Sequence, residues 1–231
     1  MKPNTIVSLE QWKEAQREFA KFENEAFERL KMTAEKRREL PWVWIQKPYV
    51  FDGPNGQESL SELFQGRSQL VLQHFMFAPD AEEGCSGCSA QADGVDGARA
   101  HFESKDVSFV AVSRAPVAKL EAFRKRMGWK FKWVSSGNSD FNFDFHVSFT
   151  KEELAAGKAV YGFERHDITM PDLPGISVFY KDKSGEIFRT YSNFNGDDHL
   201  LGFYGYLDIT PKGRHETQPL DWIKHHDKYP T

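Results

Sequence analysis

Between Leu70 and Val134 the sequence alternates apolar runs of strand length with segments of helical periodicity. Strands that alternate with helices are typical of a parallel sheet whose strands are joined by helical crossovers. The pattern therefore predicts an α/β fold with helices flanking a central sheet. In chain order the predicted elements are a strand at 70–77, a helix at 89–102, a strand at 109–113, a helix at 116–127 and a strand at 129–133.

Further strands are predicted beyond this region. Ile176–Tyr180 and Ile187–Tyr191 flank a turn-forming segment and indicate a hairpin at the end of the sheet, which makes the sheet mixed. Phe141–Phe149 alternates apolar and polar residues with period two, which predicts another strand. Its apolar face is expected to belong to the core, with a binding groove as the alternative. The stretch up to Asp172 is interpreted as an irregular insertion before the hairpin.

The N-terminal region is predicted to be a helical arm. Ser8 and Gln11 have the spacing of a capping box, and an apolar stripe follows them. A second, short helix is expected from Thr33 to Glu39, before Pro41. The arm either packs on its own core or pairs with a second subunit. The predicted division is an arm at 1–48, a domain with the site at 49–210 and a tail at 211–231.

Charge and composition exclude several classes of function. A net charge of −4 argues against a nucleic-acid-binding surface. No apolar run approaches the roughly 20 residues that a membrane-spanning helix needs. The N-terminus lacks the layout of a secretory signal, and the chain has only two cysteines. We therefore expect a soluble, cytoplasmic protein.

Both cysteines lie in Cys85-Ser86-Gly87-Cys88, after a predicted strand and at a predicted helix start. This context favours a redox site. The free N–H groups and partial positive charge of a helix start stabilise a thiolate. Cys85 would lie at the exposed tip and Cys88 one turn further in, so the spacing predicts Cys85 as the attacking thiol and Cys88 as the resolving thiol.

The residues around the thiols are candidates for supporting roles. Gly84, Ser86 and Gly87 adjoin them and are candidate supporting or substrate-binding residues. Asp80, Glu82 and Glu83 precede the pair, and nearby carboxylates would raise the pKa of Cys85. We therefore expect Glu82→Gln or Glu83→Gln to lower that pKa.

Three alternatives compete with a dithiol site. Structural zinc normally needs four Cys or His ligands, and the pair supplies two, so neither a metal nor a cofactor is expected. His74 and His101 are expected on different elements, and the His225-His226-Asp227 cluster is expected to be solvated. A peroxiredoxin-like peroxidase would have Thr or Ser three residues before the cysteine, where this chain has Glu82. The third alternative is a binding or scaffold protein without turnover.

Several stretches together resemble a bacterial domain-of-unknown-function family whose members are labelled thioredoxin-like, or predicted dithiol–disulfide oxidoreductases. The resemblance spans about Ser8 to Tyr229 and implies a thioredoxin-like core over Leu70–Tyr191 with Cys85 and Cys88 at its redox position. It also implies a cis-proline opposite the pair, for which Pro174 is the candidate. The stretches are 39–43, 49–53, 64–70, 75–89, 141–145, 174–180 and the His-Asp-x-Tyr motif that ends at Tyr229.

Many members of that family carry Pro after the first cysteine and bulky aromatics after the second. This chain has Ser86, Ala90 and Gln91 at those places, which bears on its redox potential and partner surface. The leading hypothesis is a thioredoxin-like oxidoreductase that exchanges a Cys85–Cys88 disulfide with a thiol of a protein or small molecule. A homodimer through the N-terminal helix is a further possibility for its assembly.

Overall fold

The structure, a computed structural model, describes residues 5–165, 167–194 and 200–230. The first four residues of the predicted arm and the last residue of the predicted tail lie outside it. The chain divides into two compact units, one up to Pro41 and one from Trp42 onward. The predicted boundaries at residues 48 and 210 remain predictions.

The first unit is one long helix, α1, over Leu9–Arg38. Its capping box is present as predicted: the Ser8 side chain accepts the backbone N–H of Gln11, whose side chain accepts the N–H of Ser8. The separate helix expected from Thr33 is wrong, because Thr33 lies inside α1 and its Oγ1 donates to the Arg29 carbonyl at 2.8 Å. Threonine can cap a helix, but its hydroxyl can also bond back to the preceding turn.

The second unit is built on a mixed sheet. Its strand order is β1-β10-β9-β4-β5-β6-β2-β3. The strands are β1 (Val43–Trp44), β2 (Val50–Gly53), β3 (Gly56–Ser59), β4 (Gln69–His74), β5 (Val107–Ser113), β6 (Lys132–Ser135), β9 (Gly175–Lys181) and β10 (Ile187–Asn193), with β7 (Val160–Tyr161) and β8 (Glu164–Arg165) forming a separate ladder. The helices are α2 (Ser86–Glu103), α3 (Val117–Arg126), α4 (Phe141–Asp144), α5 (Lys151–Ala155) and α6 (Gly202–Asp208).

The centre of the sheet has the connectivity of a thioredoxin-like core. β4 pairs in parallel with β5 through the α2 crossover, and β5 pairs in parallel with β6 through α3. On the other side of β4 lies the antiparallel β9–β10 hairpin. The predicted α/β class, the mixed sheet and the helix order are therefore confirmed.

Two apolar layers cover the two faces of this sheet. Leu70 and Leu72 of β4 belong to one layer, together with Phe141 and Phe145. The other layer includes Cys88 and the aromatic cluster of Phe75, Phe77, Phe109, Phe123, Trp129, Phe131 and Trp133. Because side chains alternate along a strand, β4 contributes Leu70 and Leu72 to one layer and Val71 to the other. Phe75 and Phe77, which follow β4, belong to the same layer as Cys88 of α2.

The strand predicted over Phe141–Phe149 is wrong. Residues 141–144 form the short helix α4, and His146 adopts a positive φ of 55° that breaks any extended run. The expected burial is nevertheless confirmed for Phe141, Phe145, Val147 and Phe149, while Phe143 is half-buried. The groove alternative is thereby overturned. A strand with period two and a short helical turn followed by a bend both place these residues toward the core. The sequence pattern alone therefore does not distinguish the two structures.

The segment between α4 and β9 is an insertion, as the sequence indicated. Thr150 caps α5 with a capping box to Glu153, and the β7–β8 ladder follows. None of the helices in the described ranges is long and apolar enough to cross a lipid bilayer.

Candidate functional site

The two cysteines lie where the first crossover helix begins. β4 ends at His74, a loop follows, and Cys85 is the N-cap residue of α2. The N–H of Cys85 donates to the Met76 carbonyl at 3.0 Å, which ties the end of the loop back to its start. The predicted helix start is confirmed, and the thiol of Cys85 occupies the capping position itself.

The Cys85 sulfur is held as a hydrogen-bond acceptor. The backbone N–H of Cys88 donates to Cys85 Sγ at 3.4 Å. The pKa of Cys85 is lowered to about 6, first by a hydrogen bond from the Cys88 side chain and then by the N–H groups of Cys88 and Gly87, against the opposing effect of burial. Cys85 is half-buried and Cys88 is buried.

The space around the α-carbon differs between Gly84 and Gly87, the two glycines beside the cysteines. A Cβ on Gly84 would lie 2.7 Å from the Phe75 ring, so only glycine fits between the loop and the core. A Cβ on Gly87 would lie 3.2 Å from Leu220 Cδ1 and 3.8 Å from Cys85 Sγ. Ser86 is the first residue of α2 and is half-buried.

The carboxylates before the pair are placed differently from one another. Glu82 is exposed to solvent. Glu83 forms ion pairs with Arg126 at 2.6 Å and Lys228 at 2.6 Å. Hydrogen bonds from Lys228 and then Arg126 lower the pKa of Glu83 to about 2. The charge of Glu83 is thus compensated locally, which weakens its predicted effect on the pKa of Cys85.

The C-terminal segment contacts the cysteine loop, and the expectation of a solvated His-His-Asp cluster is wrong for His225, whereas His226 and Asp227 are exposed. His225 is buried, and its Nε2 donates to the Gly84 carbonyl at 2.8 Å. Asp227 pairs with Arg126, and His226 with Asp93. No local pattern marks His225, because 141 residues separate it from Gly84.

A second residue that the sequence did not single out lies beneath α2. Gln73 of β4 is buried, and its Nε2 donates to the Cys88 carbonyl at 3.1 Å and to Gln91 Oε1 at 2.7 Å. Gln73 Oε1 has no hydrogen-bond partner among the described residues. The sequence of β4 could have found it, since Gln73 directly follows the apolar run Leu70–Leu72 and lies on the same face as Val71.

Pro174 directly precedes β9, whose first residue, Gly175, pairs with His74 at the end of β4. The cis-proline implied by the family resemblance is not found, because the described residues contain no cis peptide bond. The Pro174 carbonyl accepts a hydrogen bond from the Tyr161 hydroxyl at 2.5 Å.

The histidines do not gather around the cysteines as metal ligands. His74 is buried, hydrogen-bonds Ser177 at 2.8 Å and stacks on Phe141, in the layer opposite α2. Burial, and then the nearby Arg189 charge, lower the pKa of His74 to about 3, so the ring is neutral. His101 lies in the last turn of α2. Within the described ranges, no group of three or more His, Cys, Asp or Glu residues is arranged to hold a metal ion.

Residues 1–229 match the model of a family described as bacterial protein of unknown function, DUF899. The chain belongs to the DUF899 family. This membership confirms the resemblance drawn from the sequence motifs. No curated protein matches the sequence.

Solved structures similar to this DUF899 protein include a peroxidoxin, a bacterioferritin comigratory protein and a disulfide oxidoreductase. Peroxidoxin BcpB from Mycobacterium tuberculosis is 18% identical, with 71% of this chain and 94% of that chain covered and a TM-score of 0.46. Bacterioferritin comigratory protein from Xanthomonas campestris is 18% identical, with 68% and 88% covered and a TM-score of 0.43. A secreted M. tuberculosis disulfide oxidoreductase is 16% identical, with 66% and 91% covered and a TM-score of 0.38. Such low identities and TM-scores give no evidence about the chemistry of this chain.

Proposed function

We propose that this protein is a thiol–disulfide oxidoreductase that uses Cys85 as the attacking thiol and Cys88 as the resolving thiol. The observation that carries the proposal is the Cys85 sulfur at the N-cap of α2, where it accepts the Cys88 N–H. A thiol with a pKa of about 6 is largely ionised at neutral pH, and the thiolate is the nucleophile.

The exchange takes place in two balanced steps. The Cys85 thiolate attacks one sulfur of a substrate disulfide, forms a mixed disulfide and expels the other sulfur as a thiolate. The Cys88 thiolate then attacks Cys85 Sγ, closes the Cys85–Cys88 disulfide and releases the second substrate thiolate. The substrate disulfide gains two electrons and the protein dithiol loses them. A second dithiol, from a small molecule or a protein, returns them by the same exchange in reverse.

The decisive experiment traps the mixed disulfide. In Cys88→Ser the resolving thiol is absent, so after attack on glutathione disulfide one glutathione should remain bound to Cys85 and add its mass in mass spectrometry, while the other leaves as a thiolate. Cys85→Ser is the matched control and should trap nothing. A Cys88→Ser protein that forms no adduct, with a wild-type pair that has no defined reduction potential, would favour the binding-protein alternative.

A peroxiredoxin-like peroxidase is tested in the same preparation. Glu82 occupies the place of the Thr or Ser of that motif, and its exposed carboxylate offers no hydroxyl donor to a peroxide. We therefore expect hydrogen peroxide to oxidise Cys85 no faster than it oxidises an ordinary thiolate. Rapid peroxide turnover with a reductant present would replace the exchange proposal with the peroxidase.

We also propose that the protein works in the cytoplasm as a homodimer. The cytoplasm is supported by the cysteine content of the sequence, whose two cysteines both lie in one redox motif. The dimer is supported by α1, which contains no buried residue and exposes large apolar side chains on one narrow face. That face consists of Trp12, Phe19, Phe22, Ala26 and Leu30.

The sequence of α1 favours an antiparallel partner helix from a second copy. Residues 9–23 carry four Glu and three basic residues, whereas residues 24–38 carry three Glu and five basic residues. Antiparallel pairing places the more acidic half of each helix beside the more basic half of the other, and it also opposes the two helix dipoles. Antiparallel pairing also brings Trp12 of one copy close to Leu30 of the other copy, and Phe19 of one copy close to Phe22 of the other.

A further inference from the structure

One peptide unit, the bond between Gly84 and Cys85, is held from both sides. Its N–H, on Cys85, donates to the Met76 carbonyl at 3.0 Å. Its C=O, on Gly84, accepts the His225 Nε2–H at 2.8 Å. Fixing both ends of a peptide unit fixes the orientation of its plane, and this plane sets the direction in which Cys85 leaves the loop.

The imidazole that holds the Gly84 carbonyl is itself fixed. It is buried and packs edge-on against Phe123 of α3, with ring centroids 5.2 Å apart. The residues after it are anchored by ion pairs. Asp227 accepts two hydrogen bonds from Arg126, at 2.7 and 3.0 Å, and Lys228 pairs with Glu83 at 2.6 Å. The C-terminal segment is therefore bound at several points to the loop and to α3.

We infer that His225 is a positioning residue for Cys85, acting through the Gly84 carbonyl to hold the Cys85 sulfur at the start of α2. The inference rests on the proposed function of Cys85 as the attacking thiol. His225 acts through the backbone, and its two ring nitrogens face the Gly84 carbonyl and, at 3.5 Å, the Glu83 carboxylate.

Without His225 the buried Gly84 carbonyl would lose its hydrogen bond. A buried acceptor without a partner is unfavourable, so the loop would turn to find another donor or water. Turning this peptide plane moves Cys85 away from the geometry in which the Cys88 N–H reaches its sulfur. The thiolate would then lose stabilisation, and the pKa of Cys85 would rise toward that of an ordinary thiol.

The ionisable groups around Cys85 bear on this test. Glu82 and Glu83 precede it on its own loop, Cys88 faces it from α2, Arg126 and Lys119 approach the loop from α3, and His225 and Lys228 approach from the C-terminal segment. A variant that changes His225 alone leaves the Arg126–Glu83–Lys228 ion pairs in place but also removes the imidazole beside Glu83. A shift in the pKa of Cys85 is therefore assigned to the Gly84 contact by His225→Gln, which keeps a donor for Gly84 without an imidazole beside Glu83.

The experiment measures the rate of iodoacetamide alkylation of Cys85 against pH, in the full-length protein with Cys88 intact. His225→Ala should raise the midpoint by about one pH unit, the equivalent of one lost hydrogen bond. His225→Gln, whose amide N–H can donate to Gly84, should restore part of the shift. His226→Ala is the matched control: it lies in the same segment but contacts Asp93, and should leave the midpoint unchanged.

A second measurement needs no variant, in case His225→Ala fails to fold. The His225 ring resonance in NMR should shift between the dithiol and disulfide forms of the wild-type protein, while that of His226 should not. An unchanged midpoint in folded His225→Ala, an equal shift in His226→Ala, or an unmoved His225 resonance would overturn the inference. Because neither measurement uses a substrate, failure of the inference is distinguished from failure of the proposed function, which the exchange assay tests separately.

Discussion

At the scale of single residues, the acidity of Cys85 depends on its neighbour three residues on. The side chain of Cys88 makes the largest contribution that lowers the pKa of Cys85, and the backbone N–H of Cys88 adds to it. The two contributions are separable by mutation, because a substitution at residue 88 removes the side-chain donor and keeps the N–H.

Cys88→Ala should therefore raise the alkylation midpoint of Cys85 from about 6 toward the roughly 8.5 of a free cysteine, whereas Cys88→Ser keeps a donor and should raise it less. The measurement is the pH dependence of alkylation by mass spectrometry. Equal midpoints in the two variants would show that the side-chain hydrogen bond is unimportant.

The same acidity predicts how the stability of the reduced protein varies with pH. The folded pKa of Cys85 lies below that of an unfolded cysteine, so between about pH 6 and 8.5 the unfolded chain binds more protons than the folded one. Stability from this group is therefore complete above that window and is lost as pH falls through it. The melting temperature of the reduced protein should rise between pH 6 and 8.5 more than that of Cys85→Ser. Parallel melting curves would contradict the low pKa.

The structure distinguishes Glu83 from Glu82, which sequence position alone treats alike. Its carboxylate is compensated by Arg126 and Lys228, so Glu83→Gln leaves two cations near the loop without their partner. We expect Glu83→Gln to lower the pKa of Cys85 and to destabilise the fold, and Glu82→Gln, at an exposed position, to change both less. Alkylation profiles and thermal melts of both variants measure these effects.

At the scale of elements, the alternating sequence pattern of segment 141–149 fits both a strand and a short helical turn. The burial of its phenylalanines distinguishes the two structures. In a strand, Phe143 and Phe145 would lie on the same face and be equally buried. In the observed helical turn Phe145 is 2% exposed, whereas Phe143 is half-buried with Arg114 over its ring.

Phe145→Ala should therefore cost about 3–5 kcal/mol of unfolding free energy, the usual cost of emptying a large aromatic site in a core, and Phe143→Ala clearly less. Urea denaturation of both variants provides the comparison. Equal losses would indicate the strand arrangement.

The elements that sequence patterns predicted well are those fixed by local information. The βαβ order around Cys85, the capping box at Ser8 and the β9–β10 hairpin each follow from residues close together in the chain. Those that were missed depend on tertiary contacts. Thr33 is a residue type that often caps helices, but it lies inside α1. No feature of the sequence around His225 indicates its contact with Gly84.

At the scale of the whole molecule, the proposed dimer provides the clearest test of α1. Phe22→Glu places a charge in the centre of its apolar face and should convert the dimer to a monomer in light scattering after size-exclusion chromatography. Asn24→Glu adds the same charge on the opposite face of the helix and should remain dimeric. A monomeric wild-type protein, or dissociation in both variants, would leave α1 to pack on its own subunit.

The contact between Gly84 and His225 also has a consequence during synthesis. His225 lies 141 positions after Gly84, and this stretch takes about 7 to 28 seconds to translate at roughly 5–20 residues per second. Throughout that time the nascent chain carries Cys85 without the imidazole that orients its loop. On the inferred role of His225, the thiolate of Cys85 gains its full stabilisation only after His225 has been synthesised, so we expect the thiol to react more slowly with oxidants while the chain is growing.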